Sequence, residues 1–256
     1  MRVMQAGVVA GLILLCAGAW AQASTTPPCE AWGGEMPSLT PSVILGVPYS
    51  ATYNLTSDMI FPDGKKVHRE SVSHAARDTD GRSLTQWIVQ CSRGVSRQSD
   101  PHPIYYNNVV DPPDKEIRYW ESGIMDGDTW LSKVVHEEEM PAIYYHLRDI
   151  AEVRRHMELT DKLPDTEIEK HLGHQTIAGL DAIGVRAILI MPAGSEGSDG
   201  PFEITRETWT STELGIVVRE IYNDPRSGQG TMELQELKQS EPDETQFTAP
   251  ADYTVK

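Results

Sequence analysis

Hydrophobic and polar positions alternate along most of this chain, in short runs broken by turn residues. "VPYSATYNLTSDMIF" (47–61) is extended in character, rich in Tyr, Thr and Val. Pro62-Asp63-Gly64 follows: proline presets φ, the Asp side chain bonds its local backbone, and glycine takes positive φ. "KKVHRESVSHAA" (65–76) alternates again, "RDTDGR" (77–82) turns the chain, and "SLTQWIVQC" (83–91) supplies a third strand. Successive strands joined by tight turns predict a β-meander. "DPPD" (111–114) divides "IYYNNVV" from "KEIRYWES", and "MDGD" (125–128) precedes "TWLSKVV". Further on, "GHQTIAG" and "IGVRAILIMP" predict a hairpin across Leu180–Ala182, and "AGSEGSDGP" (193–201) reads as a loop. "FEITRETWTS", "GIVVREIYND" and "GTMELQELKQ" add three strands joined at "TEL" and "PRSGQ".

One segment breaks this period. Ile143, Leu147, Ile150, Arg154 and Met157 recur at steps of four and three, and all but Arg154 are apolar. That spacing predicts a helix over 141–158. Pro141 suits its first turn, Glu137–Glu139 lie towards the positive end of the dipole, and Arg154, Arg155 and His156 lie towards the negative end. "PDTEIEKH" (164–171) adds one short helical turn. About ten strands with one helix, and no repeating strand–helix alternation, exclude a parallel βαβ sheet. So many strands in one open sheet twist and curl. The expected fold is therefore mainly β, in the α+β class: a curved antiparallel sheet or half-barrel with one long helix packed against it.

The ends change the picture. "MRVMQAGVVAGLILLCAGAWAQAST" has a lone Arg2, an apolar run from Val8 to Trp20 and an Ala21-Gln22-Ala23 cleavage signature, so residues 1–23 read as a secretory signal peptide. The run is short for a bilayer span, which needs roughly 20 residues, and no second stretch is long enough; stable membrane insertion after cleavage is not expected. Residues 24–46 form a Pro-rich segment, and residues 47–256 a single domain. Cleavage removes Cys16 and leaves Cys29 and Cys91, an even number in an oxidising compartment, which predicts one disulfide. It closes a loop of about 60 residues, valued at roughly 4 kcal/mol in the chain-entropy account. With 22 Lys+Arg against 38 Asp+Glu and a net charge of −16, the chain is a poor partner for nucleic acid or anionic lipid.

Candidate chemistry is sparse. His171 and His174 stand three apart in "KHLGH". On a helix they share a face and resemble half of a metal site; on a strand they diverge. Leu172-Gly173 and "QTIAG" place them at a helix-to-strand boundary where the two imidazoles point apart. His136 is a further metal candidate only if the fold brings it close, and four-coordinate zinc sites show tighter patterns. No G-x-S-x-G elbow, no Gly-rich phosphate loop and no CxxC is present. No catalytic residue, cofactor or metal site is therefore assigned.

The last 85 or so residues carry a resemblance. Leu172-Gly173, Ile177 with Gly179, Gly184 with Arg186, Pro192-Ala193-Gly194, Glu207 and Trp209, Asp224-Pro225-Arg226, and Phe247 with Pro250 and Tyr253 look like a group of secreted bacterial proteins common in acidobacteria. That group implies no activity. The order of strands ending in Phe-x-x-Pro also resembles periplasmic LolA-like and RseB-like half-barrels, which carry lipoprotein lipid or sense envelope components. The resemblance implies a non-enzymatic role.

These readings converge on an exported, periplasmic or extracellular binding protein whose partner is a lipid, another apolar ligand, or an envelope protein. "IGVRAILIMP" is apolar on both strand faces, with Val185, Leu189 and Met191 on one side, and together with Trp209 these residues form the candidate apolar ligand face. The alternatives are a metal-dependent enzyme using His171 and His174, and an envelope signalling or structural module that recognises another protein.

Overall fold

The computed structural model describes residues 43–61, 63–92, 102–123, 133–142 and 148–256. The expected signal segment and most of the Pro-rich segment, including Cys29, lie outside the described residues, as does the side chain of Cys91, so the expected Cys29–Cys91 bridge does too. The strands are β1 (Ile44–Leu45), β2 (Tyr49–Ile60), β3 (Lys66–Arg77), β4 (Ser83–Ser92), β5 (His102–Asp111), β6 (Glu116–Gly123), β7 (Val134–Glu139) and β8 (Arg148–Asp149). After helix α1 (Ile150–Thr160) come β9 (Glu169–Ile177), β10 (Leu180–Met191), β11 (Phe202–Ser211), β12 (Val217–Asp224), β13 (Gly228–Lys238) and β14 (Thr254–Val255). Twelve strands form one curved open sheet in the order β14-β7-β6-β5-β4-β3-β2-β13-β12-β11-β10-β9, antiparallel except at β14–β7. β1 and β8 pair separately, in parallel. Among the described residues α1 is the only α-helix, and none crosses a membrane by length and hydropathy.

Most turns stand where their residues demand. Gly64 (φ +81°) closes β2–β3 and Gly81 (φ +84°) closes β3–β4. One hairpin is shifted from expectation. β9 and β10 turn at Ala178-Gly179, not across Leu180–Ala182: Ile177 pairs with Leu180, and both loop residues have positive φ (+49° and +82°). A two-residue loop of that kind matches the right-handed strand twist, and it hands Leu180 and Asp181 to β10.

The helix is also corrected. It is eleven residues long and begins at Ile150, not near 141. Asp149 caps it, its side chain accepting from the Ala151 N–H at 2.7 Å, and a capping residue with extended backbone ends any helix on its N-terminal side. Glu137–Glu139, expected before a helix, belong to β7; Ile143 and Leu147 lie outside the described residues. The short helical turn expected over 164–171 is absent, since Glu169, Lys170 and His171 already pair in β9. The Pro-rich segment ends in the core: Val43 and Ile44 are buried, and Ile44 lies with Ile150 and Val153 against Gly215.

Register fixes what each face carries, because residues directly opposite share a face. One row runs His171–Val185–Thr208–Glu220–Met232–Leu55–Ser71 from β9 to β3. Another, on the reverse face, runs Glu236–Thr52–His74–Gln86–Asn107–Trp120 from β13 to β6. The largest core cluster includes Tyr53, Leu55, Met232, Leu234 and Val218. A second cluster sets Phe247, from a 3-10 turn at Glu244–Phe247, against Ala76, Leu84, Val109 and Trp120. Arg77 is buried and ties the β1–β2 link to the β11–β12 turn. It donates to the Val47 carbonyl at 3.0 and 3.2 Å and to the Leu214 carbonyl at 2.7 Å, and its guanidinium lies 5.0 Å from the Tyr49 ring centre.

Candidate functional site

On the first of these faces Ile183, Val185 and Ala187 of β10 stand opposite Thr210, Thr208 and Arg206 of β11. α1 lies over them. His156, Met157, Thr160 and Asp161 complete a cavity of about 340 Å³ whose wall is almost wholly apolar. That is near the small end of the roughly 300–1,000 Å³ range of ligand pockets. No residue of α1 is buried, so the helix is a wall and not a core element. It is held by the Asp149 cap, by Ile150 and Val153 near Gly215, and by the Arg154 Nε–H donating to the Thr212 carbonyl at 2.9 Å.

Of the residues expected to form an apolar face, Val185 lines the cavity. Leu189 lies two pairs further along the same side of β10, 57% exposed, and Met191 follows it, half-buried. The cavity thus continues outward into exposed apolar surface. Trp209 points elsewhere. It pairs with Gly184 on the reverse face, where its ring covers the glycine; a Cβ there would meet the indole at 2.7 Å. Its Nε1–H donates to Glu207 at 2.7 Å, and Arg186 reaches the same carboxylate at 2.6 Å.

The two histidines do not diverge. Both sit in β9, but the register slips there: His174 pairs with Ile183 and His171 with Val185, so Leu172 is the extra residue of a β-bulge at Gly173 (φ +71°). One inserted residue restores the parity that a spacing of three would break, and both imidazoles take the cavity side of the sheet. His174 then joins the helix end to the start of β10. Its Nδ1 lies 3.1 Å from Asp181 Oδ1, and its Nε2 lies 3.9 Å from Asp161 Oδ2. The hydrogen bond to His174, with a second from Thr212, holds the Asp181 carboxyl below the usual carboxylate range. His171 is deeper: its Nδ1 is buried without a hydrogen-bond partner, and so is Asp161 Oδ1. Among the described residues no three His, Cys, Asp or Glu side chains are grouped to hold a metal. His136 is on β7, near the opposite end of the sheet from β9, so the fold does not bring it to His171 and His174. Spacing alone cannot reveal such a bulge; the signal was Gly173 inside a strand pattern.

No family model and no curated protein matches the chain. Solved structures match it at low identity and low TM-score. The Pseudomonas aeruginosa MucA/MucB complex matches at 10% identity over 82% of this chain and 58% of the other, with a TM-score of 0.38. Mycobacterium tuberculosis lipoprotein LppX matches at 10% identity, over 77% of this chain and 90% of the other, with a TM-score of 0.29. A LolA superfamily protein from Nitrosomonas europaea matches at 9% identity, over 79% and 90%, with a TM-score of 0.27. The chain spans 62% of the length of the MucB structure it matches.

Proposed function

We propose that this is an exported, non-enzymatic binding protein that holds an aliphatic ligand between α1 and strands β10 and β11. The observation that carries the reading is the cavity of about 340 Å³ walled by Met157, Ile183, Val185 and Ala187. Burying apolar surface there yields roughly 25 cal/mol per Å², the only substantial driving force such a wall offers. The aliphatic wall is bordered by Arg206, Thr208 and Thr210 along β11, and at the helix end Asp161 Oδ1 is buried with unspent hydrogen-bonding capacity. A chain with a small polar end group fits that division. The exposed Leu189 and half-buried Met191 beyond Ala187 give a longer chain a partly covered path outward.

The export signature at 1–23 and the resemblance to secreted acidobacterial and LolA-like proteins agree with an envelope setting. Native mass spectrometry of the mature protein, isolated after export, tests the reading. The expected result is a co-purifying mass in the lipid range that is lost in Val185→Trp. A bare chain that takes up no added decanol in either form would sink it, and a co-purifying protein in place of the lipid would turn the reading towards an envelope partner.

A further inference from the structure

The face opposite α1 carries a second cavity, of about 430 Å³. Its floor is the register row Thr52–His74–Gln86–Asn107–Trp120, one residue from each of five adjacent strands. Thr52 Oγ1 and His74 Nδ1 are 3.3 Å apart, and Gln86 Nε2 donates to Asn107 Oδ1 at 2.7 Å. Asn107 Nδ2 in turn donates to Ser122 Oγ at 2.8 Å and to the Trp120 carbonyl at 3.2 Å. Asn107 is 3% exposed, and these bonds use both of its N–H groups and its Oδ1, so it is a fixed post that orients Gln86. Gln86 keeps its Oε1 and second N–H, and His74 its Nε2, outside this network. Thr245, Gln246, Thr248 and Pro250 of the C-terminal segment close one side. That wall is anchored. Phe247 is buried beneath Arg82, whose guanidinium lies 5.4 Å from its ring centre, and Asp243 accepts from the Thr245 N–H at 2.9 Å.

The groups on this floor share one property. Hydroxyls, primary amides and a neutral imidazole each donate and accept. Burial lowers the His74 pKa, against a smaller opposing pull from Glu236, so the ring is neutral at pH 7 and keeps both roles. The charged groups, Glu236 and Lys238, are exposed at the rim and of opposite sign. An anion or a cation therefore finds no net counter-charge inside. Ala75, Leu84 and Pro250 supply apolar contact beside the polar row. We propose that this pocket binds a neutral, hydroxyl-rich ligand of small-saccharide size, independently of the cavity under α1. Each sugar hydroxyl donates and accepts as the row does, while the C–H faces of the ring lie against the apolar wall.

Isothermal titration of the mature chain with maltose and with N,N′-diacetylchitobiose tests this. At least one sugar is expected to bind. Gln86→Leu should weaken it about tenfold or more, because a buried sugar hydroxyl then loses its partner. Gln246→Trp, at an exposed wall position, should block the pocket to the same or greater extent. Val185→Trp, in the other cavity, should leave sugar affinity unchanged, which separates failure here from failure of the apolar-ligand reading. Binding of neither sugar, or sugar binding that is equal in wild type, Gln86→Leu and Gln246→Trp, would overturn the proposal.

Discussion

A series of linear 1-alkanols should bind this protein with an affinity that climbs and then levels, and the levelling point follows from the cavity. Each methylene moved from water into an apolar wall gains about 0.8 kcal/mol, roughly a fourfold change in affinity. A methylene needs about as much room as a water molecule, roughly 30 Å³. The 340 Å³ under α1 therefore holds about ten of them. From hexanol to decanol the dissociation constant should fall roughly fourfold per carbon. Beyond that length added carbons pass Ala187 and lie along Leu189, 57% exposed, where a methylene is only partly dried and the gain per carbon should drop below about half. Val185→Trp fills the centre of the wall and should move the break to a shorter alcohol; Met157→Ala removes part of the roof and should move it to a longer one. Titration calorimetry or displacement of a fluorescent apolar probe measures the series. A slope that is flat from the start, or a break that stays at the same length in both variants, would refute the placement of the ligand between α1 and β10.

Arg77→Met should cost about 2–4 kcal/mol in urea unfolding, since it leaves the half-buried Val47 carbonyl and the buried Leu214 carbonyl without their donor; a shift under about 0.5 kcal/mol would show those bonds to be dispensable. Asp149→Ala should loosen α1 locally by about 1 kcal/mol, read as faster amide hydrogen exchange over 150–156 with little change in the global midpoint, because no helix residue is buried. The His74 pKa is lowered by burial from its ordinary 6.5, so the unfolded chain binds that proton more readily. Stability from this group is intact above about pH 6.5 and is lost as pH falls from there through the lower folded value. The stability profile of His74→Asn should therefore be flatter than that of wild type between about pH 6.5 and 5, and superimposable profiles would rule His74 out as the source.

Much of the sheet was legible because strands announce themselves through turn chemistry. Asp63-Gly64, Asp80-Gly81 and Pro112-Pro113 punctuate the first half, and the strands run between them. The helix was half legible for a physical reason. The spacing of Ile150, Arg154 and Met157 is helical, but the same step extended back to Ile143 says nothing about where a cap interrupts it. Asp149, a preferred capping residue, was the better boundary signal than Pro141. The carboxylates of Glu137–Glu139 suit a helix N-terminus in a linear reading, yet they lie on β7, where Glu138 accepts from the Tyr119 hydroxyl across the strand pair at 2.8 Å. Charge near a dipole is weak evidence beside cross-strand pairing.

The sites were harder, because both depend on register, which a single strand does not encode. A strand that is apolar on both sides, as β10 is, says that something covers each face without saying what. The β10–β11 register sends Val185 under α1 and turns Gly184 towards Trp209, so residues one apart in sequence serve different surfaces. The bulge at Leu172–Gly173 makes the opposite point, since it brings together two histidines that strand parity would separate. The polar row on the reverse face shows the same dependence most fully. Thr52, His74, Gln86 and Asn107 are each unremarked in their own strands, and none forms a motif. Only when three hairpin registers are in place do they become neighbours, and a shift of one residue in any of them would turn that residue to the other face. The β2–β3 hairpin is locked through twelve consecutive pairs from Tyr49–Arg77 to Ile60–Lys66, and the buried Arg77 pins its end. The same pairing that sets Leu55 towards α1 sets Thr52 towards the C-terminal segment, so the two pockets are opposite consequences of one register.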